Sequence, residues 1–271
     1  MRQRVLLGTR RLAYLEAGAA DGSVLVWLHA FPLTADMFRP QLESPPRGWR
    51  LLAPDLPGLG GSDDHQEPAV ALDDYARAVI GLLDALAIPR AVVGGVSLGG
   101  YAALAVARLA PDRLAGLILS DTKASPDDET AREGRARMLD VLSDRGADGV
   151  ADEMLGKLVG ETTRRERPEV VSDVRAMIIT NDPEGIRRAI LRLRDRPDAT
   201  PALHRIAVPT LVLVGAEDAI TPRDVAAGLA AAIPGASLHV VPAAGHLPNL
   251  ENPAAFAAAL APFLELLTKD V

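Results

Sequence analysis

The sequence predicts an α/β fold in which a mostly parallel central sheet is flanked by helices. Short runs that are apolar at every position indicate strands buried on both faces. Helical segments lie between these runs, and such alternation is typical of a parallel sheet covered by helices. After the sixth predicted strand, one charge-rich stretch with helical periodicity breaks the alternation and indicates an all-helical insertion.

Eight segments are predicted to form the sheet. Residues 5–7 and 11–16 form an antiparallel hairpin at one edge. The buried strands are residues 23–29, 49–53, 91–95, 114–120, 210–215 and 237–241.

Four helices are predicted between or after these strands. Two have clear start signals, because Thr221 and Asn252 are good N-cap residues and each precedes a proline at the first helical position. The predicted helices are residues 72–86, 98–109, 222–232 and 253–267.

The insertion is predicted to span residues 121–200. It contains 33 charged residues in 80, against 32 in the other 191, and its apolar residues recur at helical spacing. We therefore expect two units: a core domain of residues 1–120 and 201–271, and a helical cap, or lid, of residues 121–200.

Composition excludes several classes of function. The net charge of −7 argues against a nucleic-acid partner. The absence of cysteine excludes disulfides and thiolate nucleophiles, and the five histidines show no metal-ligand spacing, so we expect no metal. No apolar run is long enough to cross a membrane, and the N-terminal apolar run is too short for a secretory signal. We expect a cytoplasmic protein with no membrane partner.

The strongest chemical signal is the segment Gly95-Val96-Ser97-Leu98-Gly99. It follows an apolar strand and begins a helix, which is the context that a nucleophile elbow requires. Small neighbours allow the sharp turn, and the turn lifts the Ser97 hydroxyl to the carboxyl edge of the sheet, where ligands of open α/β sheets bind.

A serine nucleophile needs a base and an orienting acid. His246 lies on a loop after the last predicted strand and is the candidate base. Asp218 follows the preceding strand and is the favoured acid, with Asp121 and the adjacent Glu217 as alternatives. The order serine, acid, histidine is the one that this architecture requires.

An oxyanion needs two backbone donors. The N–H group of Leu98 follows the nucleophile, and Phe31 is the second candidate because Pro32 has no N–H. His29 is predicted to be structural rather than catalytic. The segment from Asp55 to Asp63 lacks the third glycine of a dinucleotide-binding fingerprint, and the nearby His65 is interpreted as a surface residue.

Taken together, these motifs resemble the α/β-hydrolase fold superfamily over the whole chain outside the insertion. Within it, the sequence is similar to the group of carboxylesterases, 3-oxoadipate enol-lactonases and cofactor-free haloperoxidases. The resemblance implies ester or lactone hydrolysis through an acyl-serine, with Ser97 as nucleophile, His246 as base, Asp218 as acid and no cofactor. A serine nucleophile disfavours haloalkane dehalogenase and epoxide hydrolase activity. Many relatives have His-Gly where this chain has His29-Ala30.

The expected function is a carboxylesterase acting on small esters. The alternatives are a lactonase for enol-lactones or acyl-homoserine lactones, a carbon–carbon bond hydrolase, and a non-catalytic receptor. We expect a monomer or a homodimer. A tentative substrate pocket consists of Met138, Leu142, Met154, Met177, Ile178 and Leu247.

Overall fold

The computed structural model describes residues 2–64 and 70–268, so His65 lies outside the described residues. In these ranges eight strands form one sheet in the order β1-β2-β4-β3-β5-β6-β7-β8. Strands β1, β2 and β4 pair antiparallel, and every other neighbouring pair is parallel. The strands are β1 Gln3–Leu7, β2 Arg10–Gly18, β3 Ser23–Leu28, β4 Trp49–Pro54, β5 Ala91–Val96, β6 Leu114–Ser120, β7 Thr210–Gly215 and β8 Ser237–Val241.

Helices cover this sheet and form the insertion between β6 and β7. Helices α2 and α3 pack on each other, α3 packs on β5, and α8 packs on β7 and β8. The α-helices of the described ranges are α1 Arg39–Glu43, α2 Asp73–Ala85, α3 Leu98–Leu109, α4 Glu129–Leu158, α5 Glu161–Glu166, α6 Pro168–Ile179, α7 Pro183–Arg194, α8 Arg223–Ala232, α9 Pro248–Glu251 and α10 Pro253–Thr268.

The predicted fold class is confirmed. Every predicted strand and helix is present, with ends that differ by a few residues at most. The predicted burial of residues 237–241 is wrong, because β8 is an edge strand and only its last residue is buried. The sequence patterns missed α1, α9 and three short 3₁₀ segments, Ala35–Phe38, Pro111–Arg113 and Thr200–Arg205.

The regular secondary structure of the insertion is helical, as predicted, with helices α4 to α7 between residues 129 and 194. Helix α4 contacts both α6 and α7, so the insertion buries apolar residues of its own, including Val150, Val174 and Ile190. The long α4 is kinked at Gly146, whose φ of +63° is outside the helical region. No helix of the described residues is long and apolar enough to cross a membrane.

Candidate active site

Ser97 lies on a sharp turn between β5 and α3. Its φ is +53° and its ψ is −110°, a conformation that non-glycine residues rarely adopt. The glycines around it are required by close packing: a Cβ on Gly95 would lie 2.1 Å from the Gly99 backbone, and one on Gly99 would lie 2.0 Å from the Leu28 carbonyl oxygen. The motif is therefore explained by steric contacts on both sides of the serine.

Neighbouring residues hold the turn in place. The Ser97 N–H donates to the Ser120 carbonyl oxygen at 2.9 Å, and the Thr122 hydroxyl donates to the Ser97 carbonyl oxygen at 2.9 Å. The strain at Ser97 is thus balanced by contacts to β6 and to the second residue after its end. The serine itself is only partly buried, so its side chain is placed where a ligand can reach it.

His246 and Asp218 form a buried pair. The Nδ1 atom of His246 lies 2.9 Å from Oδ2 of Asp218, and both side chains are almost fully excluded from solvent. They follow β8 and β7, and Ser97 follows β5. Because these strands are parallel neighbours in the order β5-β6-β7-β8, all three residues lie at the same edge of the sheet.

The surroundings of Asp218 keep it ionised. Burial alone would raise its pKa, but the charge and hydrogen bond of His246, the Thr221 hydroxyl and the Ile220 N–H lower its pKa to about 2. The Thr221 hydroxyl donates to Oδ2 at 2.6 Å, and the Ile220 N–H donates to Oδ1 at 2.8 Å. An ionised carboxylate at this position can orient the histidine and stabilise its protonated form.

The two alternative acids occupy different environments. Asp121 is fully buried at φ +48°, where it accepts hydrogen bonds from the Gly215 N–H and the Ser120 hydroxyl. Burial and the negative charge of Asp218 raise the pKa of Asp121 well above its usual value. Glu217 points away and accepts from both the N–H and the hydroxyl of Thr162 in the insertion. Asp218 is the acid bonded to the histidine.

Asp121, Asp218 and His246 also form a group whose potential metal-ligand atoms all lie within 4.8 Å. The donor set fits a hydrogen-bonded cluster better than a cation site. The ligand atom of His246 already contacts Asp218, and both oxygens of each carboxylate face N–H or O–H donors.

The two backbone N–H groups expected to stabilise an oxyanion are those of Phe31 and Leu98. Within the described residues, no hydrogen bond is found from the N–H of Phe31 or from that of Leu98. His29 is structural, as predicted. Its Nε2 accepts from the Leu56 N–H at 2.9 Å and its Nδ1 lies 2.9 Å from the Ala30 carbonyl oxygen, while burial lowers its pKa.

The insertion contacts the loops that carry these groups. The Asn181 amide donates to the Pro32 carbonyl oxygen at 2.8 Å. The buried Glu251, which the sequence analysis did not single out, accepts from the N–H groups of both Gly160 and Leu247. Glu251 therefore joins the insertion to the histidine loop. No local motif marks such a long-range contact in the sequence.

The expected substrate-pocket residues are mostly buried among apolar neighbours. Leu142, Ile178 and Leu247 belong to the hydrophobic core, while Met138, Met154 and Met177 pack against it. Four arginines of the insertion are paired with carboxylates: Arg187 with Glu184, Arg194 with Asp195, and Arg188 and Arg192 with Asp64.

Comparison with known proteins places the chain among hydrolases of one fold. Residues 23–253 match the family model of the alpha/beta hydrolase fold. A thermophilic esterase from Thermogutta terrifontis superposes with a TM-score of 0.92 and 38% identity, over 98% of this chain and 99% of that one. The enol-lactonase from Burkholderia xenovorans LB400 gives 0.89 and 26%, over 97% and 100%. The 3-oxoadipate enol-lactonase 2 from Acinetobacter baylyi is 27% identical over 90% of each chain.

Proposed function

Because the chain belongs to the α/β hydrolase fold family, we propose that it is a serine hydrolase that cleaves small carboxylic esters. The observation that carries this proposal is the buried His246–Asp218 pair at the sheet edge where Ser97 occupies its strained turn. The similarity to an esterase supports the choice of substrate class.

The proposed reaction has two halves. Neutral His246 takes the proton of Ser97 Oγ, which attacks the ester carbonyl carbon, and the Phe31 and Leu98 N–H groups stabilise the oxyanion. The carbon–oxygen bond of the leaving alcohol then breaks, and protonated His246 returns the proton to that oxygen. Water, deprotonated by the same histidine, attacks the acyl carbon. The bond from that carbon to Ser97 Oγ then breaks, His246 returns the proton to Oγ, and the carboxylic acid is released. No step requires a cofactor or a metal.

We propose that residues 121–200 act as a cap over a core formed by residues 1–120 and 201–271. Contacts of Asn181 and Gly160 with the loops around the serine and the histidine support this division. All the residues of the proposed pocket except Leu247 would then lie on the cap side, with Met177 and Met138 as adaptable contacts to the substrate.

A lactonase is the second candidate. The same residues would open a lactone ring, and the similarity to enol-lactonases favours this alternative. Equal concentrations of a linear ester and a lactone of the same acyl length would separate the two activities. A lactone preference of tenfold or more in kcat/KM would favour the lactonase.

The direct test compares 4-nitrophenyl butyrate hydrolysis by the native chain and by Ser97→Ala. We expect kcat to fall at least ~10³-fold with the fold retained, because the nucleophile is lost. Ser125→Ala, which changes an exposed serine, is the matched control and should keep full activity. Equal activity of Ser97→Ala and the native chain would exclude Ser97 as the nucleophile.

A further inference from the structure

One cavity lies away from the candidate active site. It has a volume of about 200 Å³ and lies between α3 and the two segments that connect the insertion to the sheet. The first connector is residues 121–128 and the second is residues 195–209. Leu104 and Ala105 of α3, Ala124 of the first connector and Leu203 of the second supply an apolar wall. None of Ser97, Asp218 and His246 lines it.

The polar lining of this cavity is cationic. Arg108, Lys123, Arg196 and Arg205 line it, against one carboxylate, Asp198. Arg108 and Arg196 are paired with Asp73 and Asp127, respectively. Within the described residues, Lys123 and Arg205 make no ion pair within 4 Å and no hydrogen bond. Burial lowers the pKa of Lys123, and the more distant charges of Asp127 and Asp128 oppose this effect. With Asp198 as the one carboxylate of the lining, the cavity keeps an excess of positive charge. Lys123 is half-buried, where screening by water is weaker than at the surface.

Tyr101 supplies an unused donor to the same cavity. The residue is 7% exposed, and within the described residues its hydroxyl makes no hydrogen bond. The Arg196 guanidinium lies 4.4 Å from the centre of its ring and fixes the ring against the second connector. Burial raises the pKa of Tyr101, so the hydroxyl remains a donor.

From this lining we infer a binding site for a small carboxylate with an apolar body, such as a monocyclic aryl carboxylate. The carboxylate pairs with the Lys123 ammonium group and accepts from the Tyr101 hydroxyl, while the apolar body contacts Leu104, Ala105 and Leu203. The size is appropriate, since an apolar cavity of ~150 Å³ already holds benzene. A neutral ligand of the same shape would leave the cation unpaired and bind less tightly.

Such a ligand contacts both connectors of the insertion at once. The connectors are already joined, because the Ala199 N–H donates to the Ala124 carbonyl oxygen at 3.0 Å. The Arg196 guanidinium also donates to the Ser125 carbonyl oxygen at 3.0 Å. A bound carboxylate therefore stabilises the attachment of the insertion to the sheet, whether or not the chain hydrolyses esters.

The test is fluorine NMR titration of 4-fluorobenzoate, with 4-fluorobenzyl alcohol as its neutral analogue. We expect saturable binding of the carboxylate and at least about tenfold weaker binding of the alcohol. Lys123→Gln should weaken carboxylate binding at least about tenfold, and Ala202→Phe should fill the cavity and abolish it. The controls are Lys157→Gln and Ala227→Phe, exposed positions outside the cavity, which should bind as the native chain does.

Two results would overturn the inference. One is the absence of saturable carboxylate binding to the native chain. The other is binding that survives both Lys123→Gln and Ala202→Phe, because the carboxylate would then occupy another site, such as the one near Ser97. The same titration of Ser97→Ala separates this inference from the proposed function. The variant should lose ester hydrolysis but bind the carboxylate as the native chain does, because Ser97 does not line the cavity.

Discussion

At the scale of single residues, two buried carboxyl groups side by side have opposite electrostatic environments. Asp218 is hydrogen-bonded to His246, to a hydroxyl and to backbone N–H groups, and these contacts lower its pKa to about 2. Asp121 has fewer donors and faces the negative charge of Asp218, and its pKa rises. Two carboxyl groups this close shift each other's pKa, and their other neighbours move the two pKa values in opposite directions. A lowered pKa favours the carboxylate form of Asp218, which is the form that can stabilise a protonated His246.

This difference predicts how the three candidate acids respond to amide substitution. Asp218→Asn should lower kcat for 4-nitrophenyl butyrate about 10⁴-fold, as expected when a triad acid loses its charge. Asp121→Asn should stay within about tenfold of the native chain, because an amide resembles a protonated carboxyl. Glu217→Gln should have little effect. A larger loss for Asp121→Asn than for Asp218→Asn would reverse the assignment.

The sequence identified the candidate residues and favoured Asp218 over the other two acids. Glycine spacing and strand context predict Ser97 as the nucleophile, and the loop position after a strand predicts His246 as the base. Asp121 and Asp218 both follow strand ends, so the pattern favours Asp218 without excluding Asp121. Their roles depend on which donors each meets across β6 and β7, and these long-range contacts leave no local trace.

Among the helices, α7 joins the insertion to the rest of the molecule through a buried ion-pair cluster. The cluster pairs Arg192 of α7 with Asp64 and with Asp74 of α2. The Arg192 side chain is fully buried and donates to Asp64 at 2.6 and 2.9 Å, with Asp74 at 3.4 Å. Its guanidinium also lies 4.8 Å from the centre of the Tyr75 ring. Removing one member of a buried pair is far more costly than removing an exposed one, because a buried charge is left uncompensated.

Two arginines on the same helix allow a matched test of this argument. Arg192→Ala should lower the free energy of unfolding by about 3–5 kcal/mol and increase amide exchange in α7. Arg187→Ala breaks only the exposed pair with Glu184 and should cost less than about 1 kcal/mol. Urea unfolding measures both. Similar costs for the two variants would show that the cluster does not hold the insertion.

Elements with strong periodicity were predictable, and those defined by tertiary contacts were not. Buried parallel strands appear as continuous apolar runs, which is why β3, β5, β6 and β7 were predictable. The short α1 and α9 are stabilised largely by contacts, such as the Asn249 amide donating to the Met37 carbonyl oxygen at 2.7 Å. The kink at Gly146 was missed because a glycine within a helical pattern does not by itself reveal a positive φ.

At the scale of the whole molecule, the two carboxyl groups affect stability in different pH ranges. The lowered pKa of Asp218 adds stability above the ordinary carboxyl pKa, and this stability is lost as the pH falls toward 2. The raised pKa of Asp121 has the opposite effect on the pH dependence of stability. As the pH rises above the ordinary value, the unfolded chain releases this proton while the folded chain keeps it. Asp121 therefore reduces stability toward neutral pH.

Asp121→Asn removes the loss of stability that Asp121 causes toward neutral pH. The free energy of unfolding of the variant, relative to that of the native chain, should therefore increase from pH 4 to pH 7. The slope is up to about 1.4 kcal/mol per pH unit between the ordinary and the raised pKa of Asp121. Urea unfolding at pH 4, 5.5 and 7 measures the difference, and Asp112→Asn, at an exposed position, is the control. If the native chain and Asp121→Asn show the same pH dependence, Asp121 has an ordinary pKa. The contrast with Asp218 would then lose its electrostatic basis.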